Sequence, residues 1–466
     1  MWIICLENRL KLVIHRLRKK GEISSYFWYN LFANKNQKEA ISPMINYTKL
    51  IFQLKRKLSS FSKKITKGLS KPKSKFVFQV LYGLLENQTV LLSEIARALK
   101  EPILLKKTIE RLSNNFKSFN NHDQLKENYI NAIESFINDD TIFCCDKSDI
   151  VKPASKELEA LDRVRDGSTG KIEDGYDTFE IAALTSKHEM PASVYSRIYS
   201  TLEKGFKSQN VETLKGLDYV KKHFGNKGIY TADRWYDNNL FFKYFTKKND
   251  ECKFVIRAKK TRGVIYKDQT MNILDVANLY KGKYATYFKD KNGNGKKVKF
   301  SYAKIKLPII PDKELTLVIV RGLGKLPMML ITNLKPKSKK LTEVILRVYI
   351  KRWKIEEYFR FKKQQFDLEN IRVRSLNAIR TMDLILTIVI GFIAMFSEKR
   401  NTTELSLWIS KLAERIYDIP EFDYYAIADG ILAILEKTRK GIQSFIDKNI
   451  KSKASQQLNL PGLLLC

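Results

Sequence analysis

The alternation of apolar and polar residues divides the chain into a helical N-terminal part, a strand-rich middle and a helical C-terminal part. Residues 75–120 show the apolar spacing of short amphipathic helices. Two of these predicted helices, Leu91–Leu99 and Leu104–Leu112, are separated by a short segment that contains a proline. The pair is typical of a helix-turn-helix, and equally of a plain helical packing unit. The second helix is predicted to expose the basic residues Lys106, Lys107 and Arg111.

After residue 140, the apolar residues occur in the short runs and two-residue alternation that are typical of β-strands. Strands are predicted at 141–145, 178–184, 193–199, 228–232 and 253–257. Helices are predicted at 211–224 and 237–245, on either side of the fourth of these strands. The order of three strands, helix, strand, helix and strand indicates a mixed α/β fold.

Residues 260–335 follow a second strand-like pattern, which predicts a β-rich insertion. Asn292-Gly-Asn-Gly295 predicts a hairpin turn before an alternating run. The helical pattern returns at Leu341, continues to about Asn370, and predicts further helices near 375–397, 403–416 and 424–445. The longest apolar run, Leu384 to Phe396, is too short to span a membrane and indicates a buried core helix.

The net charge of the chain indicates what kind of partner the protein binds. The chain has 85 Lys and Arg against 50 Asp and Glu, a formal net charge of +35. A protein this basic is typical of one with a polyanionic partner, with nucleic acid ahead of a membrane surface. The alternative is a basic surface that only keeps the protein soluble. The five cysteines and four histidines show no spacing suited to zinc, and a reduced intracellular protein fits them.

Two aspartates that follow predicted strands are candidates for catalysis. Asp146 ends the run 141–145, and Asp233 ends the run 228–232. Catalytic groups gather at strand ends in open α/β sheets. A lone aspartate in such a place is, however, usually a turn residue or a helix cap.

A third acidic candidate, Glu356, lies in a predicted helix. At about 100° per residue, Tyr349, Arg352, Glu356 and Lys363 fall within an arc of about 60° on one helix face. Glu356 therefore projects from the same side as a tyrosine and two cations. A solvated face with ion pairs four residues apart would also explain these charges.

The spacing Tyr-x2-Arg-x3-Glu-x6-Lys, from Tyr349 to Lys363, resembles the signature of DDE transposases of the insertion sequence 4 family. The resemblance extends over roughly residues 44–445. Segments 146–153 and 231–237 resemble the first-aspartate and second-aspartate segments of that family, and segment 163–171 resembles the stretch after the first.

The resemblance implies an α/β fold with a ribonuclease-H-like mixed-sheet core. In such a core Asp146 lies on the first strand, Asp233 near the fourth, and Glu356 on the helix after a β-rich insertion. The predicted order along the chain is an N-terminal extension (1–43), a helical DNA-binding region (44–135), the first part of the core (136–260), the β-rich insertion (261–338), the second part of the core (339–400) and a C-terminal helical region (401–466).

The resemblance also implies the function of a DNA transposase of an insertion sequence. Asp146, Asp233 and Glu356 would hold two Mg²⁺ ions, with Mn²⁺ as a substitute, for phosphodiester hydrolysis and strand transfer. Tyr349, Arg352 and Lys363 would bind the DNA end. The implied partners are double-stranded DNA, as terminal inverted repeats and as target, and a second copy of the chain in a synaptic complex. No membrane is expected, and the implied location is the bacterial cytoplasm with the nucleoid.

Two other functions fit the same residues. The first is a non-catalytic DNA-binding protein derived from this fold, which the complete Asp, Asp and Glu set disfavours. The second is another nuclease of the fold, such as a resolvase, which the Tyr-Arg-Glu-Lys spacing and the insertion disfavour. Trp235 and Trp353 are candidates for stacking on an extruded base, although a core tryptophan is more common.

Overall fold

The computed structural model describes residues 45–289, 295–399, 402–413 and 422–443. The chain divides into two compact units, Met1–Phe52 and Gln53–Cys466. Only residues 45–52 of the first unit are described, so the predicted extension at 1–43 lies outside the described residues. The second unit contains the sheet and the helices that surround it.

Helices precede the sheet, as the apolar spacing predicts. They are α1 (Tyr47–Ile65), α2 (Lys71–Asn87), α3 (Leu92–Leu99), α4 (Leu105–Ser118) and α5 (His122–Ile133). Pro72 lies in the first turn of α2, where its missing N–H has no intrahelical partner to lose. Gly83 lets α3 pack closely on α2, because a Cβ at this position would lie 2.7 Å from Cγ2 of Ile95. Helices α2, α3 and α4 pack against one another.

A mixed sheet forms the centre of the second unit. Its first strands are β1 (Ile142–Val151), β2 (Asp162–Arg165), β3 (Ile172–Leu184), β4 (Pro191–Tyr199), β5 (Ile229–Ala232) and β6 (Lys253–Arg257). Strands β1, β3 and β4 pair antiparallel, and β5 and β6 are parallel to β1, in the order β4-β3-β1-β5-β6. Helices α6 (Gln209–Phe224) and α7 (Asn239–Phe245) make the two parallel crossovers. This arrangement confirms the ribonuclease-H-like α/β fold.

Strand β1 is longer than its apolar run predicts. The prediction ended it before Asp146, but the strand continues to Val151 because β3 pairs with it along its whole polar second half. Asp146 therefore lies inside a strand rather than at its end. Periodicity could not show this, since the pairing partner of a polar segment is distant in sequence.

The β-rich insertion extends the central sheet. It contains β7 (Gly263–Tyr266), β8 (Gln269–Asn272), α8 (Ile273–Asn278), β9 (Tyr284–Lys289), β10 (Gly295–Leu307), β11 (Ile310–Arg321) and β12 (Met328–Thr332). Strand β12 pairs antiparallel with β6, which joins the insertion to the core in one 12-stranded sheet. The predicted turn at 292–295 falls mostly outside the described residues, and β9 and β10 pair antiparallel on either side of it.

Helices follow the insertion: α9 (Lys339–Ile350), α10 (Trp353–Gln365), α11 (Leu376–Ser397), α12 (Glu404–Leu412) and α13 (Tyr424–Leu435). The single helix predicted from Leu341 is thus two helices, which meet at Lys351 and Arg352. Both residues keep right-handed helical backbone angles. Tyr349 accordingly belongs to α9, whereas Glu356 and Lys363 belong to α10.

Helix α11 is the central helix of the C-terminal part. Its 22 residues exceed the 13-residue apolar run of the prediction, and by length and composition alone it could cross a membrane. In the described part of the chain it instead packs on α2, α4, α5, α13 and β4, with 89% of its most apolar window buried. These contacts are those of a core helix, as predicted.

A buried group of charges ties α10 to the sheet and to α11. The Lys362 ammonium on α10 lies 2.8 Å from Glu180 on β3 and 2.6 Å from Asp383 on α11. All three side chains are at most 5% exposed. Burial raises the pKa of Glu180 even though Lys362 opposes this shift. Two carboxylates thus share one cation in the core, and this cation belongs to the helix that carries Glu356.

Candidate active site

Asp146 projects from the middle strand of the core. Its side chain is 18% exposed, and its Oδ1 accepts a hydrogen bond from the backbone N–H of Lys147 at 2.9 Å. Burial raises the pKa of Asp146 to about 6, against the opposing effect of the Arg352 guanidinium. The negative charges of Asp233 and Glu356 raise this pKa further, so all three carboxylates interact electrostatically.

Asp233 follows the neighbouring parallel strand. Cys145 of β1 pairs with Ala232 of β5. Asp146 and Asp233 are the residues that directly follow this pair, one in each of two neighbouring chain segments. Its Oδ1 accepts a hydrogen bond from the backbone N–H of Trp235 at 2.8 Å and caps the short 3-10 helix Arg234–Tyr236. The capping role expected of a strand-end aspartate is therefore present, and it engages only one of the two carboxylate oxygens.

Glu356, on α10, lies near Asp146. Arg352 joins it to Asp146: Nη1 donates to Oδ2 of Asp146 at 2.5 Å, and Nη2 donates to Oε1 of Glu356 at 2.5 Å. The two carboxylates lie 210 positions apart in the sequence and bind one guanidinium. Although burial opposes the shift, the neighbouring Asp146 carboxylate raises the pKa of Arg352. Glu357, the next residue, instead pairs with Arg360.

The three carboxylates are the type of ligand that a divalent metal prefers, but they do not surround a common metal position. Carboxylate oxygens are ligands that Mg²⁺ prefers. Within the described ranges, no three His, Cys, Asp or Glu side chains lie close enough together to hold a metal ion. Arg352 supplies the positive charge between Asp146 and Glu356. The donor set therefore fits Mg²⁺, provided that Arg352 releases these two residues.

A cavity of about 640 Å³ opens beside Arg352. Tyr349 and Arg352, two of the residues predicted to bind the DNA end, lie on its wall. The cavity also contains cations and aromatic rings that the sequence patterns did not indicate, namely Arg257, Tyr287, Phe288 and Arg347. They belong to β6, β9 and α9, and nothing in the local sequence links these elements. The cavity thus contains three arginines, of which Arg352 binds Asp146 and Glu356.

Lys363, the third predicted DNA-end residue, lies apart from this cavity. Its ammonium binds Asp149 at 2.9 Å and Glu369 at 3.0 Å. These partners raise the pKa of Lys363 above its usual value, although burial opposes the shift. Asp149 is therefore an ion-paired residue and not a fourth member of the carboxylate group.

The two candidate tryptophans occupy different surroundings. The Lys147 ammonium lies 3.7 Å from the centre of the Trp235 ring, and Tyr236 packs edge-on against this ring at 4.9 Å. Burial lowers the pKa of Lys147. Trp353 lies on the wall of the cavity beside Arg352. Of the two rings, Trp353 is therefore the one next to the predicted DNA-end residues.

Comparison with known proteins supports part of this picture. The structure titled "Cryo-EM structure of piggyBac transposase synaptic complex with hairpin DNA" aligns with 88% of this chain and 82% of that chain, at 9% identity and a TM-score of 0.44. No curated protein sequence matches the chain. Residues 196–392, a region that contains Asp233 and Glu356 but not Asp146, are similar to the family model described as "Transposase DDE domain".

Proposed function

We propose that this protein is a DNA transposase of the insertion sequence 4 family, with Asp146, Asp233 and Glu356 as its catalytic carboxylates. The observation that supports the proposal is that Asp146 and Glu356, from separate elements, bind the same guanidinium, and that Asp233 comes directly after the strand that pairs with β1. Two acidic side chains from distant parts of a chain that share one cation are typical of a site that binds positive charge.

Asp146, Asp233 and Glu356 would hold two Mg²⁺ ions, or Mn²⁺ in their place. When bound, the ions supply an activated oxygen nucleophile and stabilise the leaving oxygen of a phosphodiester. In the first reaction water attacks the phosphorus atom and the 3′ oxygen leaves as a free hydroxyl. In the second, this 3′-hydroxyl attacks a phosphodiester of target DNA, and the displaced oxygen becomes a new strand end.

Arg352 couples DNA binding to the release of the carboxylates. A guanidinium binds a phosphate group through two parallel hydrogen bonds, in the way that it binds a carboxylate. A phosphate of the DNA end in the cavity beside Arg352 would compete with Asp146 and Glu356 for the same N–H groups. We propose that Tyr349 and Lys363 also contact the DNA end, and Lys363 must leave Asp149 and Glu369 to do so.

The direct test of catalysis uses the DNA that flanks the gene of this protein. Incubation of the protein with this DNA and Mg²⁺ is expected to produce nicks that leave 3′-hydroxyl ends. Omission of the metal should prevent the nicks without preventing binding. Tight DNA binding with no nick in either Mg²⁺ or Mn²⁺ would overturn the proposal and favour the non-catalytic DNA-binding protein.

The proposed partners follow from the same function. Terminal inverted repeats and target DNA are the double-stranded partners, and two copies of the chain hold paired ends in a synaptic complex. The location is the bacterial cytoplasm, with the nucleoid. The helical region 44–135 is proposed to bind DNA, because residues 45–120 contain 16 Lys and Arg against 4 Asp and Glu.

Neutralising the basic surface of α1 is expected to weaken binding to DNA of any sequence. Arg56, Lys57, Lys63 and Lys64 are exposed on this helix. Their joint replacement by glutamine should lower affinity and reduce the slope of log affinity against log salt by about 0.9 for each DNA phosphate that the helix no longer neutralises. Fluorescence anisotropy over a series of salt concentrations measures both quantities.

A control variant carries the same number of glutamine substitutions at exposed lysines outside this region, Lys187, Lys227, Lys247 and Lys248. It should retain most of the salt slope. Equal slopes for the α1 variant and the unmodified protein would count against an interaction between this helix and DNA.

A further inference from the structure

Helix α4 presents a polar outer face that none of the catalytic elements covers. Its buried side contains Thr108, Leu112 and Phe116, which recur every four residues. The opposite side is exposed and consists of Lys106, Lys107, Glu110, Ser113, Asn114 and Lys117. We call these six residues the outer face of α4.

The charge of the outer face favours an anionic partner. Its one acid, Glu110, lies 3.1 Å from Lys107. Neither Lys106 nor Lys117 has a carboxylate partner among the residues that the structure describes. The prediction that Arg111 is exposed beside them is wrong, because its guanidinium binds Glu101 at 2.5 Å and Gln79 at 2.8 Å.

Apolar side chains project from the start of the same helix. Ile103, Leu104 and Leu105 are 52%, 76% and 36% exposed. Exposure of three consecutive aliphatic side chains to water costs about 25 cal/mol of free energy for each Å² of apolar surface. Such an exposed group beside a polar face indicates a partner that combines apolar and hydrogen-bonding surface.

The rest of the structure holds α4 firmly in place. Asn377, in the first turn of α11, donates hydrogen bonds from Nδ2 to the backbone oxygens of Lys117 and Phe119, at 3.0 and 2.9 Å. Arg111 fixes the helix to Glu101 in the segment that precedes it. The outer face is therefore preorganised, which lowers the entropy cost of binding.

We propose that the outer face of α4, together with Leu104, lies in the major groove of double-stranded DNA and reads its sequence. This inference rests on the proposed function and identifies the residues that recognise the ends of the element. The major groove admits an α-helix, asparagine and lysine are base-reading side chains, and aliphatic groups contact the thymine methyl. Asn114 and Lys106 donate to base edges, Leu104 contacts a methyl group, and Lys117 contacts phosphate.

The test compares binding to the natural DNA end with binding to a scrambled duplex of equal length at one salt concentration. Asn114→Ala is expected to weaken binding to the natural end by about 5- to 150-fold and to leave affinity for the scrambled duplex unchanged. Leu104→Ala should act in the same direction. Because both side chains are exposed, the variants are expected to fold normally, which thermal unfolding would verify.

Asn115→Ala is the matched control, because this neighbouring asparagine donates inward to the backbone oxygen of Arg111 at 2.8 Å. The Asn115→Ala variant should keep the ratio of affinity for the natural end to affinity for the scrambled duplex. An unchanged ratio in both Asn114→Ala and Leu104→Ala would overturn the assignment. Nicking of natural ends by the unmodified protein, measured alongside, separates the two proposals. If the protein nicks DNA but neither variant changes the ratio of affinities for the natural and scrambled duplexes, only the assignment of α4 is refuted. If the variants change this ratio but the protein makes no nicks, only the proposed catalysis is refuted.

Discussion

Glu356→Gln is expected to abolish DNA strand cleavage while DNA binding and folding persist. The substitution keeps the size of the side chain and removes its charge, so a cation ligand is lost. The side chain is 54% exposed and pairs with Arg352. Cleavage of the natural DNA end in Mg²⁺ should fall by about a hundredfold to a thousandfold or to below detection, as when a group that stabilises the transition state is removed. Gel analysis of nicked products measures this rate.

The neighbouring residue provides the matched control for this substitution. Glu357→Gln removes the same charge one position along α10, where the side chain pairs with Arg360. It should retain cleavage within a few-fold of the unmodified protein. Glu356→Gln should unfold within about 0.5 kcal/mol of the unmodified protein, as is usual for an exposed side chain. The Glu357 side chain is only 13% exposed, so urea unfolding of Glu357→Gln checks that this control variant is folded. Cleavage by Glu356→Gln at the normal rate would show that this carboxylate has no part in the reaction.

Lys362→Met is expected to cause the largest loss of stability, about 3–5 kcal/mol. Methionine fills similar space, but it leaves Glu180 and Asp383 in the core without their shared cation. Removal of one partner from a buried ion pair costs far more than removal of an exposed one, because the remaining charge stays desolvated. Urea unfolding at neutral pH measures the difference in the free energy of unfolding.

The pH dependence of this variant distinguishes a buried charge from a simple packing defect. Burial already raises the pKa of Glu180, and loss of Lys362 removes the main opposing influence. A carboxyl group with a raised pKa in the folded state takes up a proton on folding. Its destabilising effect is therefore smallest at low pH and grows as pH rises through that pKa. The deficit of the variant should be smaller at pH 5 than at pH 8.

Lys363→Met, one residue along, is the matched control for Lys362→Met. Its ammonium pairs with Asp149 and Glu369 from a side chain that is 23% exposed. Solvent screens part of this interaction, so the loss of stability should be clearly smaller than that of Lys362→Met. Equal losses for the two variants, without dependence on pH, would contradict the account of Lys362 as the cation that neutralises a buried acidic pair.

Local patterns predicted many of the elements near the site but not their extent. The strand 253–257 matches β6, and the helix predicted at 211–224 differs from α6 only in its first two residues. In contrast, β1 continues through Asp146, and one predicted helix is divided between Tyr349 and Glu356. The polar half of β1 is a strand because β3 pairs with it, and no local periodicity reveals a partner so distant in sequence.

The sequence by itself determined the fold class, the basic character of the N-terminal region and the spacing that relates Arg352 to Glu356. These features depend on neighbours within a few residues or on composition, which the chain carries without folding. Only the tertiary structure decided that Arg352 bridges Asp146 and Glu356, that Arg111 turns inward, and that Lys362 is buried between two acids. The reason is that each of these partners comes from another element, and packing between elements determines which charges face each other and which face water.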